Sequence, residues 1–210
     1  MFRFPTLFVL VVVAVAGCRS ASSASGPAII QPGAPGKANR VISREAATDL
    51  SQVQATPADV KFMQGMIGHH AQALEMTALI AARTERDEMR RLGQRIAVSQ
   101  ADEIDMMRTW LTRRGQDLPD EHAHHTAGGM MPGMLTDAQM AELTAAKGED
   151  FDRLFLRFMI QHHEGALSMV DDLFKTPGAG QEGDINAFAA DVDSDQRMEI
   201  DRMRAMLGSR

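Results

Sequence analysis

Histidine and methionine are the residue types of this sequence whose number and spacing could support chemistry. The 210 residues include 16 methionines, seven histidines and one cysteine, Cys18. All the histidines fall in three clusters: His69-His70, His122 with His124-His125, and His162-His163. Imidazole and thioether groups are ligands that copper and other soft transition metals prefer. The composition therefore indicates metal binding, while a single cysteine excludes a cysteine-based zinc site and an internal disulfide framework.

Two of the histidine pairs lie in a segment that the sequence contains twice. Residues 62–76 align with residues 155–169 without a gap, at an offset of 93, and residues 100–107 align with residues 196–203 at an offset of 96. The identical pairs include Met66 and Met159, His69 and His162, His70 and His163, Met76 and Met169, and Glu103 and Glu199. The resulting order A-B-A′-B′ predicts two repeated αα-hairpins.

Helix signals frame each of these segments. Thr56 is a predicted N-cap with Pro57 at the first helical position, and the helix that follows is expected to reach about residue 82. The second helix is predicted to end near residue 114, the third to span about 149–175 and the fourth about 184–208. A capping box at Thr136 predicts a short helix before the third. No stretch shows strand-like alternation, so we expect an all-α four-helix bundle over residues 57–208.

On a helical wheel, the repeated polar residues share the faces that carry the apolar ones, so they are expected in the core. A buried carboxylate is costly unless it is paired, hydrogen-bonded or bound to a metal. The candidate ligands in the helices are therefore His69, His70, His162, His163, Met66, Met76, Met159, Met169, Glu103 and Glu199.

Three interpretations of this cluster remain open at this stage. It could be a structural hydrogen-bond network that sets the helix register. It could be a carboxylate di-iron centre, but the Glu-x-x-His spacing of such sites occurs only at Glu121 and His124, outside the predicted helices. It could bind copper, because Met66 lies one turn from His69 and His70, and thioether favours Cu(I) while imidazole tolerates both oxidation states. Copper is favoured, with iron and zinc as the alternatives.

The predicted linker, residues 115–135, contains a second group of candidate ligands. Residues 121–134 hold three histidines and three methionines without helical periodicity. Short histidine-rich tracts are metal-binding candidates on composition. The candidates are His122, His124, His125, Met130, Met131 and Met134, which could capture an ion or hand it over; a merely polar loop is the alternative.

The N-terminus predicts export. Leu7–Ala16 is an apolar run of ten residues, too short for a transmembrane helix of roughly 20 residues and typical of a signal peptide over residues 1–17. Ala16-Gly17-Cys18 resembles a lipobox, so Cys18 is the predicted lipidation site, with a plain signal peptide as the alternative. Residues 18–56 are rich in Ser, Ala, Gly and Pro and predict a flexible tether. The expected location is the cell envelope, on an inner or outer membrane or at the cell surface.

The charge and the motifs narrow the classes of function. The formal net charge is −6, and no basic patch with interleaved aromatic residues indicates nucleic-acid binding. No arrangement for nucleophilic catalysis and no nucleotide motif is visible. We expect a binder that buffers or transfers metal in the envelope, with other envelope metal-handling proteins as partners. The alternatives are a metal-dependent oxidase of Cu(I) or Fe(II) and a structural or interaction module without metal.

The repeated motifs resemble those of a bacterial family of exported proteins, the domain of unknown function family 305. The resemblance rests on the Met-Ile-x-His-His motifs at residues 66–70 and 159–163, on residues 100–111 and on Gly133-Met134, and it covers about residues 57–208. It implies a ferritin-like helical bundle. It also implies copper binding and a role in copper resistance, since some family members are periplasmic copper-binding proteins.

Overall fold

A computed structural model of the protein describes residues 27–31, 38–49, 53–119, 125–126 and 129–208. The chain divides into two units, one that ends at Asp49 and one that begins at Leu50. The predicted signal peptide and Cys18 lie outside the described residues. No helix within the described ranges is long and apolar enough to cross a membrane.

The first unit contains two short strands and a short helix. Strand β1 (Ile29–Gln31) pairs antiparallel with β2 (Arg40–Ile42), and helix α1 (Arg44–Thr48) follows. Ser43 caps α1 by accepting a hydrogen bond from the Ala46 amide at 3.1 Å. The strands were not predicted, because three residues are too few to show an alternating pattern, and Val41 is 74% exposed.

The second unit contains four long helices, which confirms the all-α prediction. Its elements in chain order are α2 (Pro57–Ala78), α3 (Ile80–Arg83), α4 (Asp87–Arg113), β3 (His125–Thr126), β4 (Gly129–Met130), α5 (Asp137–Ala145), α6 (Gly148–Lys175) and α7 (Gly183–Gly208). The expected continuous helix to residue 82 is wrong in one detail, because α2 ends at Ala78 and α3 is a separate turn. The β3–β4 pair was not predicted.

The predicted helix caps are present. Thr56 accepts a hydrogen bond from the Asp59 amide, and the Asp59 carboxylate accepts one from the Thr56 amide, which together form a capping box. Asp59 is fully buried, and its other oxygen accepts a hydrogen bond from the Gly180 amide at 2.7 Å. This carboxylate therefore ties the start of α2 to the connection between α6 and α7. Thr136 and Gln139 form the same type of box at α5.

The helices pack as the two predicted hairpins. α2 packs against α4, α6 packs against α7, and α2 of the first hairpin also contacts α6 of the second. The buried apolar residues form two clusters. The first cluster contains residues from the N-terminal parts of α2 and α7 and from the C-terminal parts of α4 and α6. The second contains residues from the C-terminal parts of α2 and α7 and from the N-terminal parts of α4 and α6.

The two apolar clusters are separated, at mid-height in the bundle, by a layer of polar residues that are all buried except the half-buried Glu199. Each long helix contributes two residues to this polar layer: His69 and His70, Gln100 and Glu103, His162 and His163, and Gln196 and Glu199. The repeat in the sequence thus becomes a pseudo-symmetric polar layer in the fold.

Candidate metal centre

A short histidine–glutamate contact links the two helices of each hairpin. His70 Nε2 of α2 and Glu103 Oε2 of α4 are 2.5 Å apart, and His163 Nε2 of α6 and Glu199 Oε2 of α7 are also 2.5 Å apart. Both histidines are fully buried, whereas the glutamate side chains are 11% and 19% exposed. Because a carboxylate only accepts hydrogen bonds, Nε2 of each ring is the donor.

The other two histidines meet at the centre of the layer. The ring centroids of His69 and His162 are 3.9 Å apart, with 41° between the planes. His69 Nε2 lies 3.0 Å from the Pro132 carbonyl oxygen, to which it donates. Among the described residues, neither ring nitrogen of His162 has a comparable partner, so the pseudo-symmetry is broken at this pair.

Five buried ring nitrogens in the layer make no hydrogen bond of normal geometry with described residues. They are Nδ1 of His69, His70 and His163 and both nitrogens of His162. The side-chain oxygens Oε1 of Gln100 and Gln196 are likewise buried and make no hydrogen bond with described residues. Buried polar groups usually have partners, so this concentration marks the layer as a candidate ligand site.

Burial keeps the central histidines neutral. Desolvation, with a further contribution from the nearby His70, lowers the pKa of His69 to about 3, although the hydrogen bond to Pro132 opposes this shift. Desolvation and then the charges of His69, His163 and His70 hold the pKa of His162 well below its ordinary value, with the main chain of His69 opposing. Neutral imidazole is the form that binds metals.

Acidic groups collect where the layer reaches the surface between α4 and α7. Burial alone would raise the pKa of Glu103, but hydrogen bonds from His70 and Ser99 bring it below its ordinary value, so Glu103 is ionised. Burial and the charges of Glu103 and Glu199 raise the pKa of the nearby Asp195. This edge of the layer therefore has a negative potential that attracts cations.

Residues 131–135, here called the strap, cover the layer on the side of His69. The Gln72 side chain donates to the Leu135 carbonyl oxygen at 2.9 Å and accepts from the Leu135 amide at 2.7 Å. The Gln161 side chain donates to the Gly133 carbonyl oxygen at 3.2 Å. Gly165 permits the approach, because a Cβ there would lie 2.1 Å from the Pro132 oxygen.

The predicted methionine ligands occupy three different settings. Met66, Met76 and Met159 are fully buried in the apolar clusters that flank the layer. The strap methionines Met131 and Met134 are also buried. Met130 is 44% exposed, and Met169 is half-buried against the first apolar cluster.

The linker histidines do not contribute to the described site. His122 and His124 lie outside the described residues, and for His125 only the backbone, in β3, is described. Within the described part of the chain, no three His, Asp or Glu side chains converge as ligands around one point. The polar layer therefore assembles donor groups that are not arranged as a preformed coordination shell.

Sequence reasoning missed the residues that hold the strap. The partner of His69 is a main-chain carbonyl group, and no sequence pattern identifies it. Gln72 and Gln161 could have been noticed as polar residues next to the repeated histidines, but their partners belong to a segment without periodicity.

Known proteins share this architecture. A crystal structure of a DUF305 fragment from Deinococcus radiodurans is 34% identical, covers 74% of this chain and 99% of its own, and has a TM-score of 0.64. A DUF305 protein from Streptomyces coelicolor that is predicted to be secreted is 31% identical, covers 72% of this chain and 93% of its own, and has a TM-score of 0.64. No curated protein matches the chain.

Structures of CopM with bound metals are also similar. CopM in its Cu(II)-bound form is 28% identical, covers 72% of this chain and 96% of its own, and has a TM-score of 0.59. CopM structures in Cu(I)-bound and Ag-bound forms match as well. The family model of a domain of unknown function, DUF305, matches residues 59–207. The chain therefore belongs to the DUF305 family, as its repeated motifs predicted.

Proposed function

We propose that this protein is an exported, lipid-anchored envelope protein that binds copper through the four histidines of the polar layer and buffers it or passes it on. The observation that carries the proposal is the set of five buried imidazole nitrogens, contributed by both halves of the repeat, that make no hydrogen bond of normal geometry with the described residues. The proposed anchor is Cys18.

The hydrogen bonds of the layer leave the lone pairs that a metal needs. Pro132, Glu103 and Glu199 accept from Nε2 of three rings. In a neutral imidazole with Nε2 protonated, Nδ1 carries the free lone pair. A histidine that donates one ring nitrogen to a carboxylate and offers the other to a metal is the usual outer-sphere arrangement of metal sites. On this basis Glu103 and Glu199 orient the ligands, whereas the sequence had suggested that they bind the metal directly.

A purely structural network accounts poorly for the same geometry. A buried polar group without a partner costs about 1–3 kcal/mol, and the layer places several of them together. A bound copper ion would accept lone pairs that otherwise remain unsatisfied. Because the His69 and His162 rings are in contact, we expect them to move apart when copper binds.

The relatives support copper and an extracytoplasmic location. CopM binds Cu(I), Cu(II) and Ag in the similar structures, and the protein from Streptomyces coelicolor is predicted to be secreted. Imidazole also accepts zinc and iron, so both metals belong in the same titrations as competitors.

The decisive variant is His162→Leu. It removes two ring nitrogens that make no hydrogen bond of normal geometry with the described residues and fills the space with an apolar side chain. We expect the metal-free variant to be at least as stable as the parent protein, because removing an unsatisfied polar group is favourable. We also expect its copper affinity to fall by at least about tenfold, which corresponds to about 1.4 kcal/mol.

Gln196→Leu is the matched control. Gln196 is in the same layer, is 2% exposed and has one side-chain oxygen without a partner, but an amide oxygen is a poor ligand for Cu(I). It should retain the copper affinity. Copper uptake that is equal in His162→Leu and in the parent protein, measured by competition with a chromophoric chelator, would overturn the proposal.

A further inference from the structure

Three methionines line a surface groove beside the polar layer. The groove has a volume of about 290 Å³ and runs between the start of α2, the end of α6 and the chain that enters the strap. Its lining includes Phe62, Gly65, Met130, Met131, Met169 and Leu173. The thioether groups of two separate chain segments, residues 130–131 and Met169 of α6, are thus brought to one groove.

A difference between the two repeats lies at the floor of the groove. Gly65 in α2 aligns with Phe158 in α6 at the same offset as the histidines. Phe158 is half-buried and packs against the second apolar cluster. A glycine in a helix interior is less favourable than alanine, so this departure from the repeat leaves an opening at a cost in helix stability.

Two of the methionines lie close to Gly65. A Cβ placed on Gly65 would lie 3.4 Å from Met131 Sδ and 3.4 Å from Met169 Cε. These two atoms are therefore no farther apart than twice that distance, although they belong to the strap and to α6. Met131 is buried, and Met130, which is 44% exposed, lies at the rim.

We propose that Met131 and Met169, with Met130 at the rim, form a binding site for a soft monovalent cation, Cu(I) or Ag(I). Thioether ligands are neutral and select Cu(I) over harder divalent ions. The charges at the groove favour neither sign, because the exposed Lys61 and Asp172 both line it. Selectivity therefore comes from sulfur and not from net charge.

The groove adjoins the histidines of the polar layer. Gly65 lies one helical turn before His69, and Met131 directly precedes Pro132, whose carbonyl oxygen accepts from His69 Nε2. The inference rests on the proposed copper-binding function and deepens it, since it adds a solvent-accessible thioether site for Cu(I) next to the buried imidazole site.

The test is a titration of the purified protein with Ag(I), a redox-stable probe, followed by NMR of its methionine methyl groups. Met131→Leu and Met169→Leu assign the two signals, and such volume-conserving substitutions are usually well tolerated. We expect both methyl signals to shift and saturate with Ag(I), and to stay unchanged with Zn(II). The exposed Met106 and Met198 serve as control methyl groups that should not shift.

Two further variants make the test sharper. Gly65→Leu keeps every sulfur atom but fills the floor of the groove, so it should reduce the Ag(I)-induced shifts of Met131 and Met169. His162→Leu should leave these shifts intact, which separates failure of the groove site from failure of the imidazole site. Absence of shifts at Met131 and Met169 in the parent protein, or equal shifts at Met106 and Met198, would overturn the inference.

Discussion

The role of the two glutamates in the polar layer can be tested by replacing Glu103 with glutamine. The substitution keeps the shape of the side chain and an oxygen that accepts from His70 Nε2, but it removes the negative charge. Outer-sphere partners of metal-bound histidines typically contribute 10–100-fold to metal affinity. We therefore expect Glu103→Gln to weaken copper binding by about 10–100-fold, or about 1.4–2.8 kcal/mol.

The geometry of the pair is consistent with this magnitude. His70 Nε2 and Glu103 Oε2 are 2.5 Å apart, and the glutamate side chain is only 11% exposed. A unit charge that acts across an imidazole ring, over about 7 Å at an effective dielectric constant of about 20, contributes about 2 kcal/mol. Glu199 is 19% exposed, so solvent screens it more, and Glu199→Gln should have the smaller effect.

The assay is competition for Cu(I) against a chromophoric chelator at fixed pH. Ser99→Ala is the matched control, because Ser99 donates to the other oxygen of Glu103 at 3.0 Å and its removal leaves the charge in place. Thermal unfolding of the metal-free variants shows whether the fold is intact. We expect the unfolding temperature of metal-free Glu103→Gln to change little, because the hydrogen bond from His70 is retained.

Two results would refute the outer-sphere role. Unchanged copper affinity in both Glu→Gln variants would mean that the carboxylates do not act on the bound metal. Loss of a whole equivalent of copper, with affinity reduced well beyond 100-fold, would mean that Glu103 is a direct ligand, as the sequence had suggested.

Three other predictions concern stability. Histidines that stay neutral in the fold bind protons only after unfolding, so the unfolding free energy of the metal-free protein should fall as the pH drops below about 6.5. The loss is up to about 1.4 kcal/mol per pH unit for each histidine; for His69, whose pKa is lowered to about 3, it continues to about that pH, and His162, whose pKa is well below its ordinary value, adds to it in the same direction. Urea titrations at several pH values would show this, and a flat profile would contradict it. Gly165→Ala should destabilise the protein by about 1–3 kcal/mol and make the strap more sensitive to proteolysis, because the added Cβ would clash with Pro132. Gly183→Ala is the control: its Cβ would have no neighbour within 4 Å, so neither the stability nor the proteolysis should change. Free Cu(I) at about 100 times its dissociation constant should stabilise the fold by about 2.7 kcal/mol, an effect that a Cu(I) chelator should reverse and that calorimetry can measure.

The repeated motifs made much of the fold predictable. Apolar residues at helical spacing, the capping residue Thr56 and the two copies of the His-His motif fixed the number, the order and the approximate ends of the long helices. Local signals do not decide where a helix breaks, and the interruption at Leu79 between α2 and α3 was therefore missed.

The polar layer was only partly predictable. A helical wheel shows that His70 and Glu103 face the interior, but it does not show which atoms meet. The structure pairs them through Nε2, which changes the expected role of the glutamate from ligand to orienting group. Pro132 acts through its backbone, and its position depends on tertiary contacts with Gln72, Gln161 and Gly165. Such contacts are invisible to periodicity.

The differences between the two repeats matter as much as their similarity. Duplication places two His-His pairs and two glutamates at equivalent heights, which builds the buried donor set. The strap then accepts a hydrogen bond from His69 of the first copy, whereas no such bond of normal geometry joins His162 to the described residues. Gly65 lies in a groove where the second copy has Phe158. Ser99 in the first copy corresponds to Asp195 in the second, so the charge around the two glutamates also differs. A pseudo-symmetric bundle thus has one face with thioether groups and another with carboxylates. If the proposed copper function holds, an ion that approaches the histidines would meet soft neutral ligands on the first face and negative charge on the second.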